Sequence, residues 1–305
     1  MINTLREDAV HDCLSKHAMT VSRVRTGQWD FTLSNGRALR GVASVKDDWL
    51  HVEMPLTTAR GRRRRLNSAR SAWGLLSRNK AIRGNARLIL SGRERFLNVS
   101  ADISLDDEVN LASRIEESLH GFATALEATC GPHGNASVDS RSTVPISEAA
   151  KGPDPDLRRL CEEAGWPFIE RPTGSLAVDL GVPRDFYQGI VEEQEGRDGG
   201  IRLSVGLAQG ELSPKLCRWA VAFFLLTACS ALRMVRPATE GKEHESAVSL
   251  EISFASRPCA PELHHALAAL SVACQMIGRE AKVLHQDERL AREYLLIRGL
   301  SSRSR

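Results

Sequence analysis

Two stretches decide the fold: Arg25-Thr26-Gly27-Gln28-Trp29-Asp30-Phe31-Thr32-Leu33 and Arg171-Pro172-Thr173-Gly174-Ser175-Leu176-Ala177-Val178-Asp179-Leu180. In the first, Trp29, Phe31 and Leu33 recur at every second position. In the second, Leu176, Val178 and Leu180 do the same, roughly 147 residues later. Successive side chains of a strand point to opposite faces, so each segment presents one apolar face to a core.

Working outward, each stretch has the same neighbours. Leu50, Val52 and Met54 alternate after the turn-like Lys46-Asp47-Asp48, and Ile201, Leu203, Val205 and Leu207 alternate after Asp198-Gly199-Gly200. Such turns favour hairpins, and a further strand precedes each, at Leu39–Val45 and Tyr187–Glu192. A helix follows in each half. Leu66, Ala69, Trp73 and Leu76 carry the first; Leu216, Ala220, Phe223 and Thr227 carry the second, which Ser213-Pro214 opens as N-cap and first-turn proline. A pair of strands comes next, including Leu97, Val99, Ala101 and Ile103 against Val248, Leu250, Ile252 and Phe254, about 151 residues apart. Closing helices run through Leu111, Ile115, Leu119, Phe122 and Leu126, and through Leu263, Leu267, Leu270, Cys274 and Ile277. Short opening helices lie at Leu5–Lys16 and Leu157–Ala164.

Several elements in one order at a near-constant offset mean an internal duplication. The predicted class is α+β: two tandem α-β-β-β-α-β-β-α modules, each an antiparallel sheet flanked by helices. The first covers 1–130, a linker covers 131–154, and the second covers 155–305 with a C-terminal helical tail. Gly131-Pro132, Gly134-Asn135 and Gly152-Pro153 punctuate the join without periodicity, which is linker composition.

This order, together with strand patterns such as Trp29-Asp30-Phe31-Thr32-Leu33, resembles the type III secretion chaperone-like superfamily. The resemblance implies a non-catalytic module that binds protein segments without a cofactor. Many such proteins are homodimers, and a tandem copy supplies both lobes in one chain. The expected state is therefore a monomer built as an internal pseudo-dimer, or a homodimer of the whole chain.

Known chemistries leave little trace. There is no GxGxxG, Walker A loop, GxSxG or HExxH. The seven cysteines are odd in number and lack CxxC spacing, which argues against a disulfide framework and a structural zinc. Reduced, buried thiols fit a cytoplasmic protein. His264-His265 are adjacent on a helix and point about 100° apart, so they make a poor metal pair. Cys130 and His133 read as linker residues, and Asp106, Asp107 and Glu108 as acids placed at a helix start. Ile2–Val10 is broken by Arg6, Glu7 and Asp8, so no secretory h-region is expected there. The longest apolar run, Trp219–Leu232, falls short of the ~20 residues a membrane span needs.

The net charge of +3 conceals a basic segment: Arg60 to Arg95 holds about twelve Lys and Arg against one acid, Glu94. Its centre, Arg62, Arg63, Arg64 and Arg65, is expected to form an exposed, mobile loop. Guanidinium forks suit phosphate or carboxylate, so a protein partner, a nucleic acid or anionic lipid are all open. Single-stranded nucleic acid would also need aromatic platforms, and only Trp73 and Phe96 lie near. Protein binding is the leading reading, with nucleic-acid binding through residues 60–95 as the alternative. Trp29, Trp49 and Phe186 are the candidate apolar anchors, because they fall on or near strands and Trp dominates many hot spots.

Overall fold

The computed structural model describes residues 4–34, 38–58, 61–82, 84–92, 94–105, 110–130, 157–182, 185–194, 200–208, 214–240 and 247–300. The first half runs α1 (Thr4–His17), β1 (Thr20–Arg25), β2 (Gln28–Ser34), β3 (Ala38–Lys46), β4 (Trp49–Pro55), α2 (Ala69–Asn79), β5 (Arg87–Ser91), β6 (Phe96–Ser104) and α3 (Leu111–Cys130). The second repeats it: α4 (Leu157–Glu163), β7 (Phe168–Glu170), β8 (Leu176–Asp179), β9 (Gln188–Glu193), β10 (Ile201–Ala208), α5 (Lys215–Ala228), β11 (Arg236–Glu240), β12 (Ala247–Phe254) and α6 (Ala260–Gln286). One further helix, α7 (Glu288–Ile297), has no counterpart among the described residues of the first half.

Both sheets are antiparallel with six strands, ordered β1-β2-β3-β4-β6-β5 and β7-β8-β9-β10-β12-β11. The α+β class and the two similar halves are as expected. The order differs by one strand, because β1 and β7 precede the strands read from the sequence. β1 shows no apolar alternation: it is exposed except at Val21, as suits a polar edge strand. β7 spans only three residues. Arg25-Thr26-Gly27 is thus a hairpin turn, with Gly27 at φ 67°. Asp47 and Asp48, at φ 50° and 57°, make the two-residue turn between β3 and β4. Two consecutive left-handed residues match the twist of the flanking strands. The linker 131–154, Cys130's side chain, His133, Asp106–Glu108 and Ser213 lie outside what is described; Pro214 is the N-cap of α5.

The halves pack on each other through α2 and α5, and the inner edge strands β5 and β11 lie under the other half's middle helix. Two buried arginines make this packing reciprocal. Arg87 on β5 donates to the Leu232 carbonyl at 2.8 Å, and Arg236 on β11 donates to the Ile82 carbonyl at 2.7 Å. Ile82 follows α2 and Leu232 follows α5, so each arginine closes the helix end of the other half. Such carbonyls have no partner within their own helix, and a buried one must find a donor. Asn79 adds a bond from α2 to the Pro237 carbonyl, 3.0 Å. One apolar core runs through both halves without a break. The structure is therefore an internal pseudo-dimer in which the outer edges, β1 and β7, remain at the ends of their sheets.

Candidate partner-binding groove

Arg62, Arg63 and Arg65 are exposed as expected, while the backbone of the segment is hydrogen-bonded to the sheet and does not loop free of it. After Leu56 the chain turns through Gly61 (φ 74°) and comes back antiparallel. Arg64 N donates to the Leu56 carbonyl at 2.7 Å, and Leu97 N donates to the Arg64 carbonyl at 2.9 Å. Thr57 bridges Arg63, and Arg65 bridges Phe96. Leu66 is buried and fixes the far end. Arg64 is half-buried, and its guanidinium donates to the Thr129 carbonyl, 2.8 Å away near the end of α3. A cation at a helix C-terminus is favoured by the dipole. Arg65 pairs with Glu94, and the guanidiniums of Arg63 and Arg65 each lie 5.1 Å from the Phe96 ring centroid.

Ser68 then caps α2, its hydroxyl accepting from Ser71 N at 3.2 Å. Ser71, Gly74, Leu75 and Arg78 follow at the helical spacing that puts them on one face. Between that face and the returning arginine segment lies a groove of about 850 Å³. Arg62, Arg63, Arg64, Arg65 and Arg78 line it, the buried Leu66, Leu75 and Leu97 lie behind them, and no carboxylate is among its lining residues. Arg62 and Arg78 make no ion pair among the described residues. Five arginines and the first turn of α2 border the groove, which gives it a positive lining.

The remaining expected residues fall elsewhere. Trp29 is fully buried in the core and is no anchor for a partner. Trp49 is half-buried and already engaged across the halves, with Arg233 5.2 Å from its ring centroid and His265 at 6.2 Å. Phe186 is 73% exposed, but it stands beside α6, where Tyr187 packs under Lys282, away from the groove residues. Arg87 belongs by sequence to the basic segment, yet it is 1% exposed and serves the interior. The groove's helical side, Ser71 and Gly74, carried no signal beyond the low helix propensity of a mid-helix glycine.

Charged groups also meet in the interior. Asp102 accepts from Arg87 at 2.5 Å, from His51 Nδ1 at 2.7 Å and from Met234 N of the second half at 3.1 Å. Burial alone would raise this carboxyl; the charge of Arg87 and the bond from His51 outweigh it and hold the group well below the usual range. His51 Nε2 faces Glu53 at 3.5 Å. The bonds to Asp102 and Glu53 push His51 up to about 9, against the desolvation that would lower it. Both ring nitrogens are occupied by carboxylates, so this imidazolium holds charge in place and is not poised as a base near neutral pH. Arg114 grips Glu262 with two bonds, of 2.8 and 2.9 Å, and Glu117 with one of 2.8 Å. Its partners are an α3 and an α6 carboxylate, so this cluster also joins the halves.

Among the described residues, no group of three His, Cys, Asp or Glu is arranged to hold a metal, and no helix is long and apolar enough to cross a membrane. His264 and His265 turn to different neighbours, Trp166 and Trp49. Burial pushes the Cys161 thiol up to about 11 and those of Cys229 and Cys274 up to about 12, so they stay protonated. No protein-family model matches the chain, and the search of curated proteins returned no significant match.

Proposed function

We propose that this protein is a non-catalytic binding module of the cytoplasm, and that its arginine groove takes an acidic segment of a partner protein. The carrying observation is the acid-free, five-arginine groove with leucines among its lining residues. A partner segment that mixes carboxylates with apolar side chains suits it: guanidiniums bind carboxylates bidentately, and the segment's own apolar side chains leave water over the helix face. The resemblance to the type III secretion chaperone-like superfamily supports the same class, with both lobes supplied by one chain. The contact between the middle helices of the two halves supports a monomer built as an internal pseudo-dimer over a homodimer of the whole chain.

Nucleic acid fits the groove less well. Single strands bind by stacking bases on open aromatic rings. Here Arg63 and Arg65 lie against Phe96, and Arg218 lies 5.8 Å from the Trp73 centroid. Fluorescence anisotropy with a labelled Glu/Leu-rich peptide and with single-stranded RNA of equal charge tests the reading. The expected result is saturable peptide binding that weakens about tenfold or more in the Arg62→Glu, Arg78→Glu double variant. Tighter binding of the RNA at matched salt would overturn the protein-partner reading.

A further inference from the structure

The groove has a counterpart in the second half, and there the chain itself fills it. The reciprocal bonds of Arg87 and Arg236 align Ile82 with Leu232, 150 residues apart. In that register Ala72, Leu75, Leu76 and Asn79 fall on Ala222, Leu225, Leu226 and Cys229, and all eight are buried. Trp73 falls on Phe223 and Gly74 on Phe224. Gly74 is exposed in the groove, and a methyl group added to it would meet no heavy atom within 4 Å. Phe223 and Phe224, by contrast, pack against Tyr294 of α7, with ring centroids 6.2 and 6.1 Å away.

The roof of the second half is an amphipathic helix of 10 residues, capped by Asp287, with Ala291 and Leu295 buried. Among the described residues of the first half, no helix follows α3 as α7 follows α6. Among the described residues the first half thus has the seat without a helix upon it, and it differs from the second by its arginines. A glycine in the middle of α2 leaves the space that Phe224 and Tyr294 occupy in α5 and α7.

Resting on the reading that the groove binds an acidic partner segment, we infer that the segment docks as an amphipathic α-helix of about three turns. Its apolar stripe lies over the open position at Gly74, and carboxylates flanking the stripe pair with Arg62 and Arg78. A helix in a groove is a recurrent recognition mode, read out by anchors at i, i+3 or i+4 and i+7.

The test uses the full chain and three probes: an acidic amphipathic peptide of strong helix propensity, a peptide of the same composition and charge with its apolar spacing scrambled and a central proline, and single-stranded RNA. The helical peptide is expected to bind at least about tenfold more tightly than the proline peptide, since each factor of ten is a modest share of a helix-docking energy. Gly74→Phe should weaken the helical peptide by a similar factor by filling the seat. Arg78→Glu supplies an independent loss should Gly74→Phe prove unstable, and the circular dichroism of each variant reports folding. Equal binding of the two peptides would overturn the helix inference and leave the acidic-segment reading standing. Binding of RNA with neither peptide bound would overturn both. Unchanged affinity in folded Gly74→Phe would place the peptide elsewhere and overturn the inference.

Discussion

The first and second halves share a path and differ in what covers the middle helix. In both, a buried arginine on the inner edge strand crosses to the other half's helix end. The counter-ion has moved. Arg87 stands across from Ser100 and pairs with Asp102, whereas Arg236 stands across from Glu251 and pairs with it directly. The two carboxylates sit two residues apart in the aligned strands, hence on the same face. Either position neutralises the arginine, so the cross-half bond is preserved while its charge partner varies. The outer face shows the reverse pattern. α5 is roofed by α7, while α2 is open and bordered by arginines. The bonds that join the halves are matched in both, while among the described residues only the second copy of the outer helix surface is covered by a further helix.

That comparison breaks most severely at its reciprocal bonds. Arg87→Met and Arg236→Met should each destabilise by about 2–4 kcal/mol, because each leaves a buried carbonyl without its cross-half donor and takes one charge partner from a buried carboxylate. Urea unfolding measures both. A large loss from one and none from the other would mean that the halves do not depend on each other symmetrically. Leu295→Ala, on the buried side of α7 and 1% exposed, should cost about 3 kcal/mol by cavity formation. A neutral result would mean that α7 is not seated on α5 as described.

The pH response is expected to differ between the halves. His51 and Arg202 are equivalent: each lies on the strand next to the partner of the buried arginine, one position after Leu50 and Ile201, which pair with Ile103 and Phe254. The folded value of His51, about 9, lies above its ordinary 6.5. Its contribution is therefore fully present below about 6.5 and lost as pH rises through about 9. Asp102 and Glu53 are shifted downward, so theirs is present above the ordinary carboxylate range and lost on acidification. Arg202 keeps its charge throughout. His51→Arg should accordingly flatten the stability change between about pH 6 and about pH 9. Unfolding midpoints across that range check it, and an alkaline loss as large as in the parent would remove His51 from the account.

The smallest effects belong to the groove. Gly74→Ala should stabilise by about 0.5–1 kcal/mol, as alanine is the better helix former and nothing crowds the site. Arg62→Ser should stay within about 0.5 kcal/mol, whereas Arg64→Ser should cost about 1 kcal/mol through its bond to Thr129. Thermal melts separate the three.

Much of this architecture could be read from residue order. Trp29, Phe31 and Leu33 alternate because one face of β2 is core, and all three are buried. β1 was invisible because an edge strand with exposed sides carries no apolar period. The arginines of the groove were plain in the sequence, but their setting was not. Arg62–Arg65 look like a solvated run until the backbone pairs them with Leu56 and Leu97, and Arg78 joins them only once α2 turns that face inward. Arg87 misled in the opposite sense. Charge implies surface, and only the tertiary pairing with Asp102 and Leu232 explains why it is buried.

The most direct test of the open groove is hydrogen exchange of the whole chain with and without the acidic helical peptide. The account predicts that added protection concentrates on α2, from Ser71 to Arg78, and on residues 62–66, with α5 unchanged beneath α7. Protection gained instead at the outer strands β1 or β7, or nowhere, would contradict it.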